Sequence, residues 1–166
     1  MHTNQAMEEL LRRFHLDPQR PPQLAVELRR LVEPGVVEQN GCWLLASQLE
    51  AGTAGQRQHF PDRTGYEAFV NHIHIEDELD SASYPAEALL GQALALGHAM
   101  GALAAAHGAF KIVVATSVDA PGDCNVRLFK VRPGETWIRD DLEGYSHDGI
   151  LVLETPALPP VPSRVQ

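Results

Sequence analysis

The chain has 166 residues, of which 44% are hydrophobic and 21% charged; 22 acidic side chains face 13 basic ones, for a formal charge of -9. That length fits one domain able to bury roughly 70% of its unfolded surface. The acidic balance argues against nucleic acid or an anionic membrane as the partner, leaving solubility or a basic partner as its use.

The opening residues Met1–Glu9 carry no basic region followed by an apolar run, so no secretory signal is expected and the cytoplasm is the expected location. Leu10, Leu11 and Phe14 give a first helix an apolar face, with Thr3 or Asn4 as its cap. Pro18 ends that helix or follows its end. Pro21 and Pro22 suit the first turn of a second helix carrying Leu24, Leu28 and Leu31, which Pro34-Gly35 stops. Both helices read as amphipathic covers for a sheet, or equally as a partner-binding surface.

Val36 to Ala46 predicts a hairpin, because Asn40-Gly41 is the favoured pair where both turn residues need positive φ. Trp43 and Leu45 then share one face, Cys42 and Leu44 the other. Cys42 and Cys124 are the two cysteines, and neither belongs to a Cys-x-x-Cys pair. From Ser47 to Gly65 the chain is polar and rich in Gly, Gln and Arg, which predicts a long loop and the best place for disorder.

Tyr66 to Glu76 reads as a strand, with His72, His74 and Glu76 on one face and Phe69, Asn71, Ile73 and Ile75 on the other. Two imidazoles and a carboxylate at this spacing suit a divalent metal. The spacing is similar to the cupin metal motif and to the histidine-triad hydrolases. Neither a second histidine-bearing motif nor a glycine-rich phosphate loop accompanies it, and a row of polar side chains on an exposed strand explains the same pattern. Glu76, Asp77, Glu78 and Asp80 follow as an acidic run, ordinarily a solvated face.

Tyr84 to His107 predicts the longest helix, with Pro85 in its first turn and Gly108 past its end. Residues 88–106 carry no formal charge, yet they lean on Ala and Gly, include Gln92 and His98, and lack basic anchors. A core helix is therefore expected, with Gly97 and Gly101 letting it lie close on the sheet. Three runs, 110–118, 124–132 and 149–154, predict the centre of an antiparallel sheet, the first two joined through Asp119-Ala-Pro-Gly-Asp123. Asp140 to Tyr145 predicts a short helical turn. The expected architecture is α+β, mainly an antiparallel sheet with helices packed against it: one domain over residues 1–155 and a proline-rich tail over 156–166.

The segments Asn125–Trp137, Asp140–Tyr145 and Ile150–Leu153, together with Phe69–His74, resemble immunity proteins found beside bacterial polymorphic toxins of the Rhs and type VI secretion kind. The resemblance spans residues 66–154 and implies a cytoplasmic, acidic, non-enzymatic protein without cofactor. Its expected partner is one cognate toxin domain, often a nuclease and so basic where it meets phosphates. An acidic inhibitor would be steered to that surface. The expected binding residues are Glu76, Asp77, Glu78 and Asp80, then Asp140, Asp141 and Glu143 beside Asp148, with Trp137 and Tyr145 as aromatic anchors. The alternatives are a small metal-dependent enzyme using His72, His74 and Glu76, and an adaptor domain without chemistry.

Overall fold

Five antiparallel strands in the order β1-β7-β5-β6-β4 organise the chain in a computed structural model that describes residues 1–50, 57–80 and 82–157. The centre is β5 (Phe110–Ser117), flanked by β6 (Cys124–Lys130) and β7 (Asp148–Glu154). Two short strands, β1 (His2–Thr3) and β4 (His72–His74), close the edges. The α+β expectation is met. So is the β5–β6 hairpin, which pairs Val114 with Val126 and Thr116 with Cys124.

Helix α6 (Ala86–Ala104) crosses one face of the sheet. The face that it buries includes Leu90, Leu94 and Met100, set against Ile112, Val114, Val126 and Leu128 of the strands. Gly97 makes the close approach possible: a Cβ there would stand 2.9 Å from Val114 Cγ2. Its uncharged stretch is long and apolar enough to cross a membrane by length and composition, and most of it is buried against the sheet. Helix α1 (Gln5–Arg13) adds Met7, Leu10 and Leu11 to the same core, and α2 (Val26–Val32) adds Leu28 and Val32. The second helix begins four residues beyond Pro22, at Val26, because Gln92 of α6 holds the preceding backbone extended. Gln92 Oε1 accepts from Ala25 N, and its Nε2 donates to Gln23 O.

The hairpin of β2 (Val36–Gln39) and β3 (Cys42–Leu45) turns at Asn40 and Gly41, with φ of 54° and 75°. Leu45 and Trp43 meet the main core, while Cys42 and Leu44 join Tyr66 and Val70 in a smaller one. Both side-chain faces are as expected.

Two expectations fail on residues 47–76. The predicted loop contains helix α3 (Ala46–Glu50), a 3-10 turn over Arg57–His59 and the start of α4 (Arg63–Val70); residues 51–56 lie outside the described residues. The predicted strand 66–76 is three elements. Helix α4 ends at Val70, β4 covers three residues, and α5 (Ile75–Glu78) follows. Asp62 starts α4 by accepting from Gly65 N at 2.6 Å, which commits Tyr66, Val70 and the residues between to a helical period. Of the predicted tail, Pro156 and Ala157 are irregular, and 158–166 lie outside the described residues.

Helix α4 also joins the small hairpin to the sheet. Strand β4 pairs with β6 only over Asn125–Arg127, so the backbone groups of β6 beyond it need other partners. Buried Glu67 accepts from Lys130 N on β6 and from Trp43 N on β3, both at 2.7 Å. One turn on, buried Asn71 accepts from Leu45 N at 2.8 Å and donates to Trp43 O and Leu128 O at 2.9 and 3.0 Å. Two polar side chains thus take the place of a ladder between β3 and β6. Arg132 neutralises Glu67 through two guanidinium nitrogens and donates to Gly41 O at 3.0 Å. Burial alone would lower the Arg132 pKa, but the hydrogen bonds and charge of Glu67 raise it.

Candidate functional site

The first acidic run gathers more carboxylates than its own. Glu76 is half-buried on α5, and its Oε2 accepts from Cys124 N at 3.2 Å. That bond seats α5 against the β5–β6 turn, which carries exposed Asp119 and Asp123. Asp77, Glu78 and Asp80 are also exposed. Among the described residues, only Glu76 of these six lies within 4 Å of a basic side chain, His74 at 3.1 Å. Asp80 turns inward on its own loop: Ser83 Oγ donates at 2.6 Å and Ala82 N at 3.1 Å, which together hold its carboxyl below the usual range. The result is one acidic end of the sheet. Asp119 and Asp123 were visible in the sequence as turn residues. Their place beside α5 depends on the β4–β6 pairing, which no local pattern announces.

The second acidic run does not join this end. Asp140 lies 3.7 Å from Lys111 at the start of β5, six residues from Ser117 and so about 20 Å along the strand from the acidic end. Asp141 caps the turn Leu142–Gly144 by accepting from Glu143 N at 3.1 Å. Glu143 Oε1 accepts from Gln5 N at 2.9 Å, where negative charge complements the first turn of α1. Asp148 opens β7, and its carbonyl accepts from Asn4 at 2.8 Å. Asp140, Asp141 and Glu143 thus each have a partner within the chain, while all three side chains remain exposed.

Both aromatic residues sit on the loop that covers the sheet face opposite α6. Tyr145 is half-buried against the cluster of Val113, Phe129, Ile138, Leu142, Ile150 and Val152, and its hydroxyl accepts from Arg139 N at 3.2 Å. Trp137 is 38% exposed and lies over Arg127, with 4.9 Å from guanidinium carbon to ring centroid. From Trp137 a continuous path leads through Arg127 and its register neighbour His72 to His74, and on to Glu76.

The histidine strand takes a form that its spacing did not predict. His72 and His74 do share a face, their ring centroids 4.1 Å apart. Glu76 belongs to α5 and divides its oxygens between His74 Nδ1 and Cys124 N. Among the described residues, no group of three or more His, Cys, Asp or Glu is arranged to hold a metal ion. His72 Nε2 is buried without a hydrogen-bond partner among the described residues. Burial, then the Arg127 charge and His74, push its imidazole from 6.5 down to about 4. Between these values the unfolded chain binds a proton at His72 that the folded chain does not, so stability falls as pH drops from 6.5 towards 4. Chemical denaturation at several pH values in this window should show His72→Gln losing less stability than the parent. Equal slopes would remove His72 as the cause.

Cys42 and Cys124 are both buried and free, and burial pushes the Cys124 thiol up to about 12. A thiolate nucleophile needs the opposite shift.

The family model described as Uncharacterized protein PM0498 family matches residues 2–164. The chain belongs to that family. No curated protein and no solved structure matches it.

Proposed function

We propose that this member of the PM0498 family is a cytoplasmic immunity protein that binds a cognate secreted toxin domain, a basic nuclease by preference, and neutralises it by direct contact. The observation that carries the reading is the acidic end formed by Glu76, Asp77, Glu78 and Asp80 with Asp119 and Asp123, whose exposed members are free of basic neighbours among the described residues. Clustered charge of one sign raises the encounter rate with an oppositely charged surface and fixes its orientation. Contact there would cover the phosphate-binding surface of a nuclease. Trp137, joined to this end through Arg127, His72 and His74, supplies a partly exposed aromatic anchor of the kind that carries binding energy. The second acidic run contributes less, because Asp140 and Glu143 already have partners within the chain.

The test is a pull-down from the native cell with this chain as bait. The captured partner should be basic, harmful when produced alone and harmless when produced with this chain. It should elute as salt rises from about 0.1 M to about 0.5 M, where screening shortens the reach of exposed charges. Asp77→Asn, Glu78→Gln, Asp119→Asn and Asp123→Asn together should abolish capture. A partner held equally by that variant, or one whose toxicity this chain does not relieve, would overturn the reading.

A further inference from the structure

We infer that Arg127, framed by Trp137, His72 and His74, is a receptor for a carboxylate on an acidic segment of a partner polypeptide. This surface is opposite in sign to the acidic end and goes beyond the proposed neutralisation of a basic toxin. Arg127 points from β6 to the sheet face away from α6. Its one hydrogen bond among the described residues runs from Nη1 to Ala68 O, at 2.9 Å. Among the described residues no carboxylate lies within 4 Å of it, and burial lowers its pKa to about 10. A partly desolvated guanidinium with donors to spare is an incomplete ion pair. Its planar fork matches a carboxylate bidentately, and loss of water strengthens that contact.

The surroundings fix the orientation. The Trp137 ring lies over the guanidinium, and Ala68 O holds one nitrogen, leaving the remaining donors without a protein partner among the described residues. Beside it, His72 has a buried ring nitrogen without a hydrogen-bond partner among the described residues, its ring tilted at 53° to that of His74 with centroids 4.1 Å apart. Glu76, next to His74, marks the boundary with the acidic end.

Two features favour a carboxylate on a polypeptide over a phosphate. His72 stays neutral at neutral pH, so the centre offers the single charge of Arg127, which one carboxylate balances and a phosphate exceeds. Trp137, 38% exposed, lies over Arg127 with its ring 5.6 Å from that of Phe129, so apolar surface borders the guanidinium. Arg and Trp at the centre with apolar neighbours is the composition of an interface hot spot. Arg127 also caps the last turn of α4 through Ala68 O, a role that lysine can fill with one N–H. The fork itself is what a carboxylate needs.

The experiment uses the full chain and a tetraglutamate peptide acetylated at its N-terminus and amidated at its C-terminus, with a tetraglutamine peptide blocked in the same way as control, followed by NMR signals of the Trp137 indole N–H and the His72 and His74 rings. Saturable shifts are expected, with at least roughly tenfold weaker binding of the tetraglutamine peptide and of Arg127→Lys at unchanged Tm. Should Arg127→Lys lose Tm, Trp137→Leu serves as the second variant, with the same weakening expected. Equal binding of tetraglutamine, full binding by a folded Arg127→Lys or Trp137→Leu, or displacement by equimolar inorganic phosphate would each overturn the assignment. The last result would make the site a receptor for any small anion.

Discussion

Glu67→Ala is expected to destabilise the protein by about 3–5 kcal/mol, the usual cost of leaving one member of a buried ion pair alone. For a chain of this length that corresponds to a fall in Tm of about 6–20 °C. The reasons are local and countable. Glu67 is fully buried, and its two oxygens serve Trp43 N, Lys130 N and two nitrogens of Arg132. Alanine strands two backbone donors and a guanidinium in a site that water cannot readily reach. Glu67→Gln keeps one acceptor and should fall between alanine and the parent. Replacing Glu67 and Arg132 together by apolar residues should cost less than Glu67→Ala alone, because no charge is then left unpaired. Thermal or urea unfolding followed by circular dichroism reads all three. A Glu67→Ala variant as stable as the parent would mean that α4 does not join β3 to β6 in the way described.

The second large effect is expected at Asn4. Its Oδ1 accepts from Met7 N at 3.0 Å as the cap of α1, and from Ile150 N at 2.9 Å on β7. Its Nδ2 donates to Asp148 O at 2.8 Å and more weakly to Tyr145 O at 3.4 Å. One buried amide therefore fixes the start of the first helix, the edge of the sheet and the loop that carries Trp137 and Tyr145. Asn4→Ala should cost about 2–4 kcal/mol, combining a lost cap with buried groups left unsatisfied. Asn4→Asp is the informative comparison. It retains the acceptor for Met7 N but presents an oxygen to the carbonyls of Asp148, Tyr145 and Leu142, so it should rescue little. Hydrogen exchange should then speed up in residues 142–150 before the α6 amides change. Uniform acceleration would place the role of Asn4 in global stability alone.

Much of this fold was legible because local chemistry and tertiary packing agree. Asn40-Gly41 turns a hairpin in any context, and the Asp119–Asp123 turn between two β-branched runs does the same. Pro85, Gly97 and Gly108 mark the long helix by its start, its close contact and its end. Residues 66–76 misled because alternation of Phe69, Asn71, Ile73 and Ile75 is genuine, yet Phe69 sits in α4 and only Ile73 in β4. The helical signal, Asp62 as cap with Tyr66 and Val70 four apart, lay at the edge of a segment that composition marked as loop.

The candidate site was legible in part. Glu76, Asp77, Glu78 and Asp80 are exposed or half-exposed as an acidic run suggests, whereas Asp119 and Asp123 join them only through the contact of Glu76 with Cys124. Asp140 and Glu143 carry the same charge in sequence but spend it on Lys111 and on α1. Charge is visible in a sequence, and its partners are not. Arg127 shows the same limit from the other side, as a basic residue in a strand with no carboxylate partner among the described residues.

The central claim is that the acidic end meets the partner first, and association kinetics test it most directly. With the captured toxin domain in hand, stopped-flow rates should be measured against ionic strength for the parent and the Asp77→Asn/Glu78→Gln/Asp119→Asn/Asp123→Asn variant. The parent rate should fall at least roughly tenfold from low to high salt, while the variant starts slow and stays nearly flat at unchanged Tm. Equal rates with equal salt dependence would contradict the account and move the interface elsewhere on the chain.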